Sequence, residues 1–427
     1  MNWKKDYESK LVSLEEAARK IKSNDVIYMS PCSASPIDLA EAIANRYANL
    51  ENVKVHSALS LHPFSFMMDS KFKGHIEYYP FFNGPIERKL FKVGNIHPTS
   101  VHFSKLDIYA TEVIKPNVLI ADVSLPDDEG YLHFGAMGVS LNGHISTLVD
   151  TIIVQVNKYQ PQVKGEMHRI HVKDVDFIVE KDHKLPPLPQ PEPTEIDNKI
   201  AQLILPEIPD CATIQIGLGG LSNAIGYGLE TKKNLSVHTE MITDSMMHLA
   251  KVGAITGNMV GGFALGSNDL YEFAGEDERV LLKPLYKVNE PYEVAKNDNF
   301  ISINACLMAD LTGQIASEGV GNRLISGTGG ALDFVHGATM SKGGKSFICL
   351  PSVTQTKLGL QSNIVPKLPD ATPVTIPRSS VQYVVTEYGI ANLYNKSIED
   401  RVRELINIAH PDFRNELMEF AKSEKLI

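Results

Sequence analysis

A carboxylate where a strand ends can do covalent chemistry, and the stretch Ser-Val-His-Thr-Glu-Met-Ile-Thr-Asp-Ser at 236–245 places one there. The β-branched run 235–239 predicts a strand that stops at Glu240, with the residues from Met241 turning from a loop into a helix. In open α/β sheets that edge gathers loops and helix N-termini, so Glu240 is a candidate nucleophile or base. The competing reading is a surface glutamate that caps a helix. A second candidate is Ile-Gly-Leu-Gly-Gly-Leu at 216–221. It follows a predicted strand and opens a helix, so bare backbone N–H groups there can approach an anion, helped by the positive end of the helix. Alone it reads equally well as a structural turn, because it lacks dinucleotide spacing and has no Gly-Lys-Ser. Ser-Gly-Thr-Gly-Gly-Ala-Leu-Asp-Phe at 326–334 is a second glycine cluster. Two such loops and a strand-end carboxylate together offer anion binding, oxyanion stabilisation and a nucleophile.

The elements that must position these residues form an α/β pattern that occurs twice. In the first half, Ser13 opens a helix predicted to end near 23–25. Then come a strand at 26–29, a Ser/Pro loop at 30–36, a helix at 37–47 and a strand at 52–59. Strands at 118–123, 151–156 and 175–179 follow, with a turn at 127–130 before Tyr131. The aromatic-rich stretch 62–94 shows no periodicity and reads as an insertion. After a proline cluster at 186–193, a stiff connector, the pattern returns. A helix runs from Thr194 to 204, a strand spans 213–216, the glycine loop replaces the Ser/Pro loop, and a helix covers 221–229. Asn-Leu-Ser-Val-His-Thr-Glu-Met at 234–241 aligns with Asn-Val-Lys-Val-His-Ser-Ala-Leu at 52–59, so Glu240 stands where the first half has Ala58. Further pairs follow in the same order, which predicts a duplicated α/β domain. The expected division is an N-terminal domain at 1–185, a linker at 186–193 and a C-terminal domain at 194–427 carrying Glu240.

Composition narrows the function class. The 427 residues are 43% hydrophobic and 22% charged, ordinary for a globular chain, and the net charge of −10 with no Lys/Arg block argues against a nucleic-acid groove. The charged N-terminal stretch and the lack of an apolar span predict a cytoplasmic protein with no membrane partner. The four cysteines are far apart and predict reduced, mostly buried thiols. The histidines at 56, 62, 75, 97, 102 and 133 lack ligand spacing, so no metal is expected and they read as surface or hydrogen-bonded residues. Met241, Met246 and Met247 read as core.

His-Thr-Glu-Met-Ile-Thr-Asp (238–244), the 217–221 loop, Ser-Ile-Asn (302–304), the 326–334 cluster and Val-Val-Thr-Glu-Tyr-Gly-Ile-Ala-Asn-Leu (384–393) resemble the acetyl-CoA hydrolase/transferase family of class I coenzyme A transferases, which includes the 4-hydroxybutyrate and butyrate CoA-transferases. The resemblance implies two domains of the NagB/RpiA/CoA-transferase-like fold. It implies ping-pong exchange of CoA between a short-chain acyl-CoA and a carboxylate such as acetate, with CoA as substrate and no permanently bound cofactor. By the same resemblance Glu240 is the catalytic residue. Gly217, Leu218, Gly219, Gly220 and Leu221 form the first CoA loop, Ser326, Gly330 and Lys357 also touch CoA, and the chain is a homodimer or larger homo-oligomer. An acyl-CoA hydrolase and a non-catalytic binding module on the same fold are the rival readings. The chain departs from the family pattern at Ser222, Ala331, Tyr394-Asn395 and Met29-Ser30-Pro31-Cys32, which leaves the acyl group and the acceptor acid open.

Overall fold

The structure, a computed structural model, describes residues 3–357 and 359–427. The chain forms two compact units. The first holds the residues up to Pro189 with Glu240–Asp244 and Met259–Val288; the second holds Gln190–Thr239, Ser245–Asn258 and Asn289–Ile427.

The first sheet is built from β1 (Val26–Met29), β2 (Val53–Ser57), β3 (Ile76–Pro80), β4 (Val118–Val123), β5 (Thr151–Val156) and β6 (Phe177–Glu180). All pairings are parallel, in the order β3-β2-β1-β4-β5-β6. Its near-continuous apolar strands suit a sheet covered on both faces, and β4 is buried along its whole length. The aromatic stretch 62–94 is no insertion. It supplies β3, and Phe64, Phe66, Phe72 and Tyr78 join the core with Leu39, Ile43 and Val55. The strand Ile-Glu-Tyr-Tyr-Pro alternates over only five residues and ends on proline, too short a signal to stand out among the flanking turns.

The second sheet comprises β7 (Thr213–Ile216), β8 (Leu235–Ile242), β9 (Ile255–Ala264), β10 (Val280–Leu282), β11 (Phe300–Ala305), β12 (Lys345–Cys349), β13 (Tyr383–Thr386) and β14 (Gly389–Asn392). Its order is β10-β9-β8-β7-β11-β12-β13-β14. Without the two edge strands this is the order of the first sheet, strand for strand, consistent with the duplication read from the sequence. The entries into the strands repeat too. Asn52 and Asn234, at φ 54° and 56°, precede β2 and β8, and Asn24 and Cys211, at φ 71° and 62°, precede β1 and β7. These are left-handed positions, which the three asparagines adopt at little cost because their short amide side chains can hydrogen-bond locally.

In the first unit, residues 164–166 run alongside β10 and cover its open edge. Leu282 N–H donates to Lys164 O (2.8 Å) and Glu166 N–H donates to Leu282 O (2.9 Å). Gly165 sits between them at φ 141°, where a Cβ would lie 1.7 Å from Leu282 O. The core of the second unit gathers Leu311, Ile315, Val335, Ile348, Val384, Val402 and Leu405.

Local signals mark several helix starts. Ser13, Thr194 and Ser397 cap helices Leu14–Ala18, Glu195–Ile204 and Ile398–Ile408. The first of these is shorter than expected, because the chain turns at Arg19 and buries Ile21 on the way to Asn24. All four cysteines are free; Cys32 and Cys349 are buried, whereas Cys211 is exposed on its left-handed turn. Among the described residues no helix is long and apolar enough to cross a membrane.

Candidate functional site

The strand carrying Glu240 does not stop there. β8 continues through Met241 to Ile242, both buried, and Ile242 O accepts a hydrogen bond from Leu265 N–H (3.2 Å). Two further apolar residues extend the ladder, so the carboxylate stands third from the end. Side chains alternate across a strand, which puts Glu240 on the face of His238 and Thr239 and Met241 on the other. Glu240 is partly exposed between buried neighbours. Its own unit presses close on the backbone: a Cβ on Gly262 would lie 3.0 Å from Glu240 O. In the second unit His238 is buried, with Nδ1 3.2 Å from the Asn297 amide nitrogen and its ring edge-on to Phe300 and Phe334. An amide N–H donates, so Nδ1 accepts.

The first glycine loop belongs to the second unit. Gly217 N–H donates to Ile303 O (2.9 Å), which carries the parallel ladder one residue past β7. That donor is therefore used, and donors for an anion must come from the residues after it. Gly219 takes φ 129°, a glycine conformation, and leads into helix Gly220–Gly228. A Cβ on Gly219 would meet nothing within 4 Å, whereas one on Gly220 would press on Asp197 Oδ2 (3.0 Å) and Glu192 O (3.2 Å). One side of the turn is open and the other packed. Leu218 is 46% exposed and Leu221 is buried. The chain leaves β7 for β8 and β9 on one side and returns to β11 on the other, so this loop borders the point where the strand order reverses, where such sheets take ligands.

Beneath the loop is a buried polar floor. Gln215 Oε1 accepts from Ser302 Oγ (2.7 Å) and Asn304 Nδ2 (3.2 Å), and Gln215 Nε2 donates to Asn304 Oδ1 (3.1 Å). Asn304 Nδ2 also donates to Ser302 Oγ (3.0 Å). A Cβ on Gly217 would make ordinary contact with Asn304 Oδ1 at 3.5 Å. A closed network of this kind fixes the height of what rests on it. Ser302 and Asn304 stand out in the sequence; Gln215 does not, although a glutamine inside the strand Thr-Ile-Gln-Ile is itself a signal.

The second glycine loop follows the short hairpin of Gly319–Val320 and Arg323–Leu324 and opens helix Ala331–Met340. Glu318 organises it: its carbonyl accepts from Ile325 N–H (2.8 Å) and Ser326 N–H (3.1 Å), and its carboxylate accepts from Thr328 Oγ1 (2.9 Å). This buried acid was not among the candidate residues. Gly329 is left-handed at φ 65°, and Gly330 is the residue before the helix. Ser326 and Gly330 thus lie in one loop. Lys357 is exposed at the tip of the antiparallel ribbon Val353–Thr356 and Gly359–Ser362.

The histidines divide. His133 is buried, with Nδ1 2.9 Å from Val163 O and Nε2 3.3 Å from Asp127. His56 is neither on the surface nor hydrogen-bonded at Nδ1; it stacks on Tyr79 at 5.1 Å, and burial pulls its pKa down to about 4. Among the described residues no three His, Cys, Asp or Glu side chains come together as a metal site.

Residues 1–189 match the acetyl-CoA hydrolase/transferase N-terminal domain and residues 266–421 match its C-terminal domain. Glu240 and the first glycine loop lie between the two matched spans. The 4-hydroxybutyrate coenzyme A transferase of Clostridium kluyveri is 35% identical over 99% of this chain and 100% of its own. The butyryl-CoA:acetate CoA-transferase of Anaerostipes caccae is 35% identical over 100% and 99%. Among solved structures, RipA from Yersinia pestis is 32% identical, covers 100% of both chains and superposes with a TM-score of 0.93. With two domain matches in order, relatives aligned from end to end and a solved structure that superposes over the whole chain, this chain belongs to the acetyl-CoA hydrolase/transferase family.

Proposed function

We propose that this protein is an acyl-CoA:carboxylate CoA-transferase acting on short-chain acyl-CoA, with acetate among the acceptor acids, and that Glu240 is its nucleophile. The observation that carries the reading is a partly exposed carboxylate near the end of a sheet strand whose flanking residues, Thr239 and Met241, are buried. Relatives that align from end to end and bear CoA-transferase names support it.

In the proposed sequence a Glu240 carboxylate oxygen attacks the thioester carbonyl. The C–S bond breaks, giving an acyl-glutamyl anhydride and CoA thiolate. The thiolate then attacks the glutamyl carbonyl, releasing the first carboxylate and leaving a glutamyl-CoA thioester. An incoming carboxylate attacks that thioester, a second anhydride forms, and the thiolate attacks its acyl carbon to leave as the new acyl-CoA with Glu240 restored. No proton is consumed, and the thioester is conserved. A carboxylate is a weak nucleophile, so backbone donors on the developing oxyanion must supply much of the acceleration, about 3 kcal/mol each. Gly217, Leu218, Gly219, Gly220, Leu221, Ser326, Gly330 and Lys357 are the proposed CoA contacts. Their remote binding energy supports the reacting end. The same reading expects a cytoplasmic homo-oligomer.

Product analysis tests the reaction. Butyryl-CoA with acetate should yield acetyl-CoA and butyrate with little free CoA. Free CoA forming at the same rate with and without acetate would make the protein a hydrolase instead.

A further inference from the structure

The geometry points to Asp244 as a positioning residue for Glu240, an assignment that rests on the transferase reading above. Asp244 begins helix Asp244–Lys251, two residues after β8 ends. Its carboxylate faces out of that helix to another part of the same unit. Ser267 N–H donates to both Asp244 oxygens (3.1 and 3.3 Å), and Ser267 Oγ donates to Oδ1. Ser267 is in turn the cap of helix Asn268–Glu276, where its Oγ accepts from Leu270 N–H (3.2 Å). Charge-assisted bonds to a backbone N–H and a hydroxyl are among the strong ones.

The approach is close by construction. A Cβ on Gly266 would lie 2.2 Å from Asp244 Oδ2, so no larger residue leaves the carboxylate where it is. Together with Leu265 N–H donating to Ile242 O, the chain leaving Glu240 is pinned to 265–267 twice, once by backbone and once by side chain. The proline-rich stretch hangs on the same support: Leu188 N–H donates to Gly266 O (3.0 Å) and Tyr271 OH donates to Pro186 O (3.0 Å). Asp244 therefore fixes the end of the strand that presents the nucleophile, without touching reacting atoms. Displacing a nucleophile by about 1 Å costs roughly 100-fold in rate while leaving remote binding intact.

The test compares the parent protein with Asp244→Ala, Asp244→Asn and Gly266→Ala. For each, one measures the single-turnover rate of CoA-adduct formation on the Glu240 peptide per folded molecule, the Kd for CoA and the Tm. Asp244→Ala should slow adduct formation roughly 10- to 100-fold with Kd changed less than threefold. Asp244→Asn, whose amide oxygen still accepts from Ser267 N–H, should recover much of the rate, and Gly266→Ala should resemble Asp244→Ala. A purely structural role would lower Tm in Asp244→Ala and leave the adduct rate per folded molecule within twofold of the parent, which overturns the positioning role alone. A parent protein that forms no adduct overturns the transferase reading and this assignment with it.

Discussion

Gly219→Ala separates what the first glycine loop does for the fold from what it does for a ligand. The added methyl meets no protein atom within 4 Å, so the substitution removes no packing and creates no clash. Its cost to the fold is the strain of holding alanine at φ 129°, about 1–3 kcal/mol. For a chain of this size that lowers Tm by only a few degrees, roughly 1 °C per kcal/mol. The cost to function has a different origin. The methyl fills the open side of the turn, where backbone N–H groups would approach a CoA phosphate. Losing one charge-assisted hydrogen bond costs about 1.5–3 kcal/mol, a roughly 10- to 150-fold rise in the Kd for CoA. Gly253→Ala is the control, because Gly253 is also left-handed, at φ 84°, with nothing within 4 Å of its Cβ, but follows helix Asp244–Lys251. Calorimetric titration with CoA beside thermal unfolding reads both effects. Both variants should lose similar stability while only Gly219→Ala loses affinity. A Gly219→Ala protein that is destabilised as expected but binds CoA within twofold of the parent would refute contact between this turn and CoA.

Gly165→Ala should be far more costly to the fold. Its Cβ would meet Leu282 O at 1.7 Å and Leu282 N at 2.7 Å, so the two hydrogen bonds covering the sheet edge must break, about 1 kcal/mol each, on top of the strain at φ 141°. Urea unfolding should show a loss of about 3–5 kcal/mol, and a loss below about 1 kcal/mol would mean that the edge is not held this way. Beside it, Lys283 and Lys287 hydrogen-bond Glu166 (2.8 and 2.7 Å) and hold its pKa down to about 2. A depressed carboxylate contributes stability that is present above its ordinary pKa near 4.5 and is lost as pH falls toward 2. The pairs are partly exposed, so the contribution is about 1 kcal/mol or less. The stability difference between the parent and Glu166→Gln should therefore vanish on acidification across that range; a difference that grows toward low pH would contradict the assignment.

The duplicated fold was legible because its carriers are local. β-branched runs mark β1, β4, β5 and β7, and the matching Asn-x-x-Val-His segments at 52–56 and 234–238 align the halves as copies of one α/β domain. What escaped was non-local or short. β10 has three residues, β14 exists only by pairing back on β13, and the cover at 164–166 depends on a partner more than a hundred residues away. Residue types point to Glu240 and the glycine turns as candidates, but the end of β8 is ambiguous in sequence because Met241 and Ile242 fit a strand as well as a helix start. The supporting roles are not legible in sequence, even where the residue type stands out, as with Gln215 inside an apolar strand. Gln215, Glu318 and Asp244 act through partners brought together by folding. The same holds for Asp122 in the first unit, whose carboxylate accepts from Gln155, Asn157 and Gln160 while burial pushes its pKa well up.

In the proposed reaction Glu240 carries CoA covalently during turnover. Incubating the protein with butyryl-CoA and no acceptor acid, followed by mass spectrometry and peptide mapping, tests it directly. A CoA adduct is expected on the peptide containing Glu240, discharged on adding acetate with formation of acetyl-CoA and absent from Glu240→Ala. Turnover that persists in Glu240→Ala, or an adduct that maps to another peptide, would contradict it.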